Sequence, residues 1–91
     1  MYTVVFSKNF KKSFKKIKQS HPRILNDFEK VVLLLRGGKK LDQKFRDHPL
    51  KGDLSLYREC HIRPDILMIY SFEKKECVIL LIEIGSHSYL F

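Results

Sequence analysis

Three histidines in the second half of the chain are the residues best suited to chemistry. They lie in the segments Asp47-His48-Pro49-Leu50, His61-Ile62-Arg63-Pro64-Asp65 and Gly85-Ser86-His87-Ser88. Imidazole exchanges a proton near neutral pH, so two histidines can supply the base and the acid for cleavage of RNA, whose 2′-hydroxyl is the nucleophile. The reaction also needs cations for the phosphate charge, and an aromatic ring can stack on an unpaired base. Tyr89 and Phe91 flank the His87 segment and are candidates for that ring.

Other interpretations of these histidines are open at this point. Taken singly, His48 is typical of a turn, His61 of a strand end and His87 of a solvent-facing loop. Three histidines and a carboxylate can also ligate zinc, but zinc sites usually contain closely spaced ligand pairs, and these histidines form none. We therefore expect no metal and no other cofactor. The fourth histidine, His21, precedes Pro22, and we assign it no functional role.

The charge of the chain indicates a polyanionic partner or an acidic protein. Its 91 residues include 18 Lys and Arg against 10 Asp and Glu, which gives a net charge of +8. Hydrophobic residues make up 44%, enough for a core, so disorder is disfavoured. The longest apolar runs, Val31 to Leu35 and Val78 to Ile82, are far shorter than the ~20 residues of a membrane helix. We expect a single domain over residues 1–91, located in the cytoplasm, with Cys60 and Cys77 both reduced.

The first half of the sequence predicts a strand followed by two helices. Tyr2 to Phe6 is a short β-branched and aromatic run, and Ser7 is a suitable N-cap for a helix from Lys8 to about Ser20. Apolar residues at helical spacing continue from Ile24 to Leu35, and Gly37-Gly38 ends that second helix. The first helix carries six lysines and no acid, so its exposed face is a candidate docking surface for an anionic partner.

The second half predicts three strands after a basic loop at residues 37–53. The strands are Leu54 to His61, Ile66 to Phe72 and Cys77 to Ile84, and a polar tetrapeptide turn joins the last two. The predicted fold class is therefore α+β. An N-terminal strand, an antiparallel helical hairpin and a three-stranded antiparallel meander form one mainly antiparallel sheet with helices on one face.

Three segments fall in order across the C-terminal half of the chain. They are Asp47-His48-Pro49-Leu50-Lys51-Gly52, Tyr57-Arg58-Glu59-Cys60-His61-Ile62-Arg63-Pro64-Asp65 and Gly85-Ser86-His87-Ser88-Tyr89-Leu90-Phe91. In combination they resemble the RelE/ParE superfamily of bacterial toxins, and most closely its YafQ branch. The strand–helix–helix beginning agrees, so the resemblance covers essentially the whole chain and implies a RelE-like fold.

The resemblance implies a toxin of a type II toxin–antitoxin system. Its activity would be that of an mRNA endonuclease that acts in the ribosomal A site, uses the 2′-hydroxyl of the message and needs no metal. Its implied partner is a cognate antitoxin that wraps the toxin and blocks its site. Operator DNA would be bound only through the toxin–antitoxin complex.

The resemblance also implies roles for individual residues. His48 matches a candidate general base, and His87 matches a candidate general acid, although which histidine is base and which is acid stays open. His61 and Asp65 match residues that orient groups or share the proton transfer. Phe91 matches a terminal aromatic that shapes the site.

One position departs from the family pattern in a way that bears on activity. Glu83 stands where the family commonly has an arginine that would stabilise phosphate charge. Exchanging a cation for an anion there would remove on the order of 3 kcal/mol of transition-state stabilisation. Arg58, Arg63 or a lysine can supply the cation instead, or Glu83 can itself act as a base. A second departure is Ile66, which replaces the tryptophan common in the YafQ branch.

These departures motivate an alternative function. In it, the chain is a weakly active or inactive module that binds RNA and antitoxin and acts in repression of its own operon. A gyrase poison, as in the ParE branch, is disfavoured because that branch lacks the histidine set.

Overall fold

The computed structural model describes residues 1–90, with the backbone alone at Tyr89. The roles expected of the Tyr89 side chain and of Phe91 therefore lie outside the described residues. The described elements are β1 (Thr3–Phe6), α1 (Lys8–Ser20), α2 (Ile24–Arg36), β2 (His48–Pro49), β3 (Arg58–Arg63), β4 (Ile66–Glu73), β5 (Val78–Gly85) and α3 (His87–Leu90). Short 3₁₀ turns occupy Gln43–Phe45 and Gly52–Leu54.

The strands form one five-stranded sheet in the order β1-β5-β4-β3-β2. The β1 strand pairs with β5 in parallel, and the other neighbours are antiparallel. The predicted α+β class is confirmed, and so is the antiparallel meander, which is formed by β3, β4 and β5. The two-residue strand β2 extends the meander at its edge and was not predicted.

The core lies between the two long helices and one face of the sheet. The α1 helix buries Phe10 and Phe14, and α2 buries apolar side chains along its whole length. On the sheet, Cys60, Met68 and Tyr70 are fully buried against them. The opposite face of β3, β4 and β5 is therefore left free of the helical layer, and this face carries the candidate site.

The start of the strand predicted from Leu54 to His61 was wrong, because the observed strand begins at Arg58. Leu54 ends a 3₁₀ turn that begins at Gly52, which has a φ of +65°, and Leu56 is 84% exposed in the loop before β3. The alternation of apolar residues there does not reflect a sheet face, because β3 acquires its pairing with β4 only from Arg58 onward. The last strand begins at Val78, since Cys77 adopts a φ of +54° and lies exposed in the turn.

The predicted ends of the helices were largely correct. Ser7 caps α1, and its Oγ accepts a hydrogen bond from the Phe10 amide at 2.9 Å. Gly38 follows α2 with a φ of +70°, a conformation that favours glycine. Within residues 1–90, no helix combines the length and apolar character that a bilayer crossing requires.

Candidate functional site

The sheet face opposite the helices is organised by strand register. In β3 the buried side chains of Cys60 and Ile62 face the helices, so Glu59 and His61 point to the other side. Glu59 pairs with His48 of β2 on one side and with Ile69 of β4 on the other.

The same register reaches the last strand. Glu83 of β5 pairs with Ile69 and so extends the row that holds Glu59. Gly85, which pairs with Leu67 in the row of His61, is followed two residues later by His87 at the start of α3. Register thus brings residues from both ends of the C-terminal half to one face.

His48 and Glu59 form the best defined polar contact of this face. The His48 Nε2 atom lies 3.0 Å from Glu59 Oε1, and His48 Nδ1 lies 3.0 Å from the Pro49 carbonyl oxygen. The His48 side chain is 52% exposed, whereas that of Glu59 is 10% exposed. The imidazole is thus held on both nitrogens by oxygen atoms while its edge is open to solvent, the arrangement of an oriented acid–base group.

His87 completes an open cavity with this pair. The cavity, of about 350 Å³, is lined by His48, Pro49, Leu50, Lys51, Leu54, Glu59 and His87. It therefore contains two imidazoles, one buried carboxylate and one lysine, which is a set able to donate a proton, accept a proton and attract a phosphate. Of the histidines expected to work together, these two share one cavity.

His61 follows Glu59 by two residues in β3 but lines a different hollow, whose walls include Asp27 and Lys30 of α2. Its Nδ1 atom is 3.3 Å from the Pro64 carbonyl oxygen, so it bonds neither Glu59 nor Asp65 in the described structure. That hollow also contains Arg63, whose Nε donates to Asp27 Oδ2 at 2.8 Å. The Arg63 guanidinium is therefore already paired with a carboxylate.

Asp65 does not line the shared cavity and lies in the turn between β3 and β4. Its side chain is 71% exposed, and Oδ2 is 3.9 Å from His21 Nε2. Both residues line a third hollow together with Gly85 and Ser86. Asp65 and His87 therefore line different hollows, although Ser86, which lines the hollow of Asp65, directly precedes His87.

The remaining charged candidates, Arg58 and Glu83, have partners of their own. Arg58 binds the Asp47 carboxylate through Nε and Nη2, at 3.4 and 3.1 Å. Burial acts to lower the pKa of Arg58, but hydrogen bonds to Asp47 and Tyr70 outweigh it and raise that pKa. Glu83 Oε1 accepts a hydrogen bond from the Ile84 amide at 3.0 Å. Neither residue lines the cavity shared by His48 and His87.

Two residues of the shared cavity were missed as site candidates. Glu59 was not predicted to be a site residue, although its alternation with Cys60 places it on the open face. Lys51 stood in the segment that carries the resemblance, but nothing in its spacing indicated that it would lie beside His87. No group of three or more His, Cys, Asp or Glu side chains within residues 1–90 is arranged to hold a metal ion.

Comparisons of the sequence and of the structure with known proteins indicate the same family. Residues 2–91 match the family described as bacterial toxin of type II toxin-antitoxin system, YafQ. The mRNA interferase toxin YafQ of Escherichia coli strain K12 is 27% identical over 88 residues, which cover 97% of this chain and 94% of that protein.

Solved structures agree. A metal-bound toxin from Helicobacter pylori is 43% identical with a TM-score of 0.89, and all of both chains is covered. A chain of the DinJ-YafQ complex of Escherichia coli is 26% identical with a TM-score of 0.87, covering 100% of this chain and 99% of that one. The chain therefore belongs to the YafQ family of bacterial toxins of type II toxin–antitoxin systems.

Proposed function

We propose that this toxin is an endoribonuclease that cleaves mRNA on the ribosome with the RNA 2′-hydroxyl as nucleophile. The observation that carries the proposal is the cavity in which His48, bonded to the buried Glu59, faces His87 and Lys51. The names of the curated relatives from Escherichia coli, mRNA interferase toxin YafQ, support the same substrate class.

In the proposed mechanism the His48–Glu59 pair is the base and His87 is the acid. His48 Nδ1 takes the proton of the 2′-hydroxyl after the RNA has displaced its contact with the Pro49 carbonyl oxygen, while Nε2 stays bonded to Glu59, and the 2′-oxygen forms a bond to phosphorus. The bond from phosphorus to the 5′-oxygen breaks, and His87 gives its proton to that oxygen. The products are a 2′,3′-cyclic phosphate and a 5′-hydroxyl. We assign the base role to His48 because the adjacent Glu59 carboxylate would stabilise the imidazolium that forms when the ring accepts a proton.

Lys51 supplies the positive charge that the reaction needs at this cavity. The pentavalent phosphate of the transition state carries more negative charge than the substrate, so a nearby ammonium group lowers the barrier. Arg58 and Arg63 hold Asp47 and Asp27 instead, and we assign them supporting roles. His61 and Asp65 line two other hollows, and we propose that they orient the RNA strand there.

Dependence on the ribosome follows from how open this site is. The cavity lies on an exposed sheet face and offers one lysine, so it gives the RNA little orientation by itself. A ribosome that holds the message in place would supply that orientation. The net charge of +8 favours association with ribosomal RNA.

The proposed partner that controls this activity is a cognate antitoxin. The DinJ-YafQ complex of Escherichia coli, whose toxin chain shares this fold, supports that assignment. We propose that the antitoxin covers the toxin in the cytoplasm and that operator DNA is bound only through their complex.

Primer extension on a defined mRNA held on purified ribosomes tests the proposal. We expect discrete cuts with the untagged protein only when ribosomes are present. His48→Ala and His87→Ala should each lower the cleavage rate by about 100-fold or more while the fold survives. Full activity of both variants would show that these histidines are not the catalytic groups.

Metal independence needs its own test, since a Helicobacter pylori relative binds metal. Because the proposed chemistry uses only imidazole, carboxylate and ammonium groups, we expect the rate to be unchanged in excess EDTA. A rate that falls with EDTA and returns with one divalent metal would replace this mechanism.

A second candidate function rests on Glu83. It lies in the same cross-strand row as Glu59, two strand spacings or about 10 Å away. Two carboxylates on one face repel a phosphate, so the chain could bind RNA and antitoxin with little cleavage. Glu83→Arg discriminates the two functions. A large gain in cleavage supports the binding module, whereas a loss makes Glu83 part of the catalytic site.

A further inference from the structure

Asp47, the residue before His48, is held by three side-chain hydrogen bonds. The Asp47 carboxylate accepts hydrogen bonds from Arg58 Nε and Nη2 at 3.4 and 3.1 Å, and a third from the Tyr70 hydroxyl. The Asp47 side chain is only 17% exposed, and Tyr70 is fully buried in the core. One carboxylate thus joins an edge segment to the centre of the sheet.

The segment that Asp47 holds has few other attachments. The β2 strand is two residues long, lies at the sheet edge and contains Pro49, which has no amide hydrogen to donate. Beyond it, the Leu50 amide donates to the Tyr57 carbonyl at 2.9 Å. The backbone at His48 is therefore held only by the two-residue pairing of β2 with β3, unless a side chain fixes the segment that precedes β2.

Strand geometry places the Asp47 anchor and the His48 ring on opposite faces. Arg58 pairs with Pro49 and Glu59 pairs with His48, and successive side chains of a strand point to opposite faces. Asp47 and Arg58 meet Tyr70 on the helical side, while His48 and Glu59 meet on the open side. The hydrogen bonds of Asp47 on the helical side therefore constrain the backbone that carries the His48 ring on the open side.

We propose that Asp47 is a positioning residue: by binding Tyr70 and Arg58 it holds the His48 imidazole against Glu59 and toward His87. The proposal rests on the proposed function, in which His48 is part of the catalytic base. Asp47 itself does not line the cavity and would not touch RNA there.

The chemistry of the donors suits a permanent anchor. Burial, and then the hydrogen bond to Asp47, raise the pKa of Tyr70, so its hydroxyl keeps the proton that it donates. The pKa of Arg58 is also raised, so the guanidinium stays charged. Hydrogen bonds to an ionised acceptor are about twice as strong as neutral ones, and this carboxylate receives three.

The test compares Asp47→Ala, Asp47→Asn and Tyr70→Phe with the natural protein. Two readouts are needed: the single-turnover cleavage rate on ribosomes at saturating toxin, and the NMR signals of the His48 ring in the free toxin. We expect Asp47→Ala to lower the rate by about 10- to 100-fold, because a small misplacement of a catalytic group has that effect. Its dissociation constant for ribosomes should stay within about twofold, since Asp47 does not line the cavity in which the RNA is proposed to react.

The loss of activity in the two conservative variants should depend on which hydrogen bonds of residue 47 they keep. Asp47→Asn keeps an acceptor for Tyr70 but loses the charge that binds Arg58, and Tyr70→Phe loses only one donor. Both should lose less activity than Asp47→Ala. The His48 signals should shift in all three variants, while those of His21 should not.

Two controls separate positioning from general destabilisation. Asp42→Ala removes an exposed carboxylate of the same loop, one that caps the Lys44 amide, and should not affect the rate. Val31→Ala truncates a fully buried residue of α2 and lowers stability without touching the loop.

The proposal is overturned if Asp47→Ala cleaves like the natural protein. It is also overturned if Val31→Ala, at equal loss of stability, loses as much activity, or if the His48 signals do not move. If Asp47→Ala does not fold, Asp47→Asn and Tyr70→Phe test the proposal by the same two readouts, the cleavage rate and the His48 signals. Failure of the proposed function would differ: His48→Ala would then cleave normally, while the NMR signals would still report whether Asp47 positions the ring.

Discussion

A buried carboxylate with incomplete hydrogen bonding distinguishes the site at the scale of single residues. Glu59 Oε1 contacts His48, but Oε2 is buried and has no hydrogen-bond partner within the described part of the chain. Leaving such a group unsatisfied costs about 1–3 kcal/mol. A fold tolerates that cost where the charge is needed, and here the charge lies directly behind an exposed imidazole.

Glu59→Gln tests this interpretation. The amide has nearly the same shape and can still accept a hydrogen bond from His48, but it has no negative charge with which to stabilise the imidazolium. We expect cleavage to fall by about 10- to 100-fold. The free energy of unfolding should change by less than about 1 kcal/mol, because the variant also removes a buried charge. A urea titration and a single-turnover assay give the two quantities, and unchanged cleavage would exclude Glu59 from the base.

The sequence identified the reactive residue types but not their grouping. His48, His61 and His87 stand out because imidazole exchanges a proton near neutral pH, whereas the pairing of His48 with Glu59 depends on the register of β2 against β3. A two-residue strand has no hydrophobic pattern of its own. Lys51 was missed for the same reason, since its place beside His87 arises from the fold of a loop.

At the scale of elements, Ser7 joins the first helix to the sheet. Its Oγ accepts a hydrogen bond from the Phe10 amide at 2.9 Å and donates one to the Ile82 carbonyl at 2.7 Å. One hydroxyl thus satisfies a free donor at the start of α1 and an acceptor of β5, the strand that leads to His87.

Ser7→Ala should lower the free energy of unfolding by about 1–2 kcal/mol, because the cap and the bond to β5 are both lost. Ser20→Ala is a matched control. The Ser20 hydroxyl is exposed and donates only to the Lys16 carbonyl in the last turn of the same helix, so its loss should change stability by less than about 0.5 kcal/mol. Equal effects in urea unfolding would show that the Ser7 bonds contribute little.

Elements with a clear periodicity were predicted well, and those without it were not. The α1 and α2 helices follow from their apolar spacing, and β4 and β5 from their β-branched runs. The loop at residues 52–57 was misassigned because two leucines imitate strand alternation, although Gly52 bends the backbone there. The α3 helix is one turn long, too short for a periodic signal.

Over the whole molecule, lysines carry most of the positive charge, and within residues 1–90 none of them forms an ion pair with a carboxylate. Asp27 and Asp47 form ion pairs with Arg63 and Arg58. Glu59 and Asp65 lie 3.0 and 3.9 Å from imidazole nitrogens of His48 and His21. Most of the net charge of +8 is therefore presented to solvent by lysines, including the exposed face of α1. Such a surface suits a phosphate-rich particle or an acidic antitoxin segment.

Stability should decline in alkaline solution for a reason found in the core. Burial, and then the charge of Asp47, raise the pKa of Cys60, and burial also raises that of Tyr70. The unfolded chain releases these protons near the ordinary values of 9.0 and 10.0, while the folded chain retains them. The unfolded state then binds fewer protons, so the free energy of unfolding falls as pH rises above about 9.

Urea unfolding at pH 7, 8, 9 and 10 measures this decline. Cys60→Ala should show a smaller loss between pH 8 and pH 10 than the natural protein, whatever its stability at pH 7. In the folded protein a thiol reagent at pH 8 should modify the exposed Cys77 and spare Cys60. An alkaline decline that is the same in Cys60→Ala would assign it to other groups.

The most direct test of the account replaces the proposed nucleophile. An mRNA with a single 2′-deoxy nucleotide 5′ to the cleaved phosphate is placed on ribosomes beside its all-ribo counterpart. We predict that the deoxy message is not cut at that position, while the all-ribo message yields a 2′,3′-cyclic phosphate and a 5′-hydroxyl. Undiminished cleavage of the deoxy message would contradict a mechanism in which the His48–Glu59 pair activates the 2′-hydroxyl and His87 protonates the leaving group.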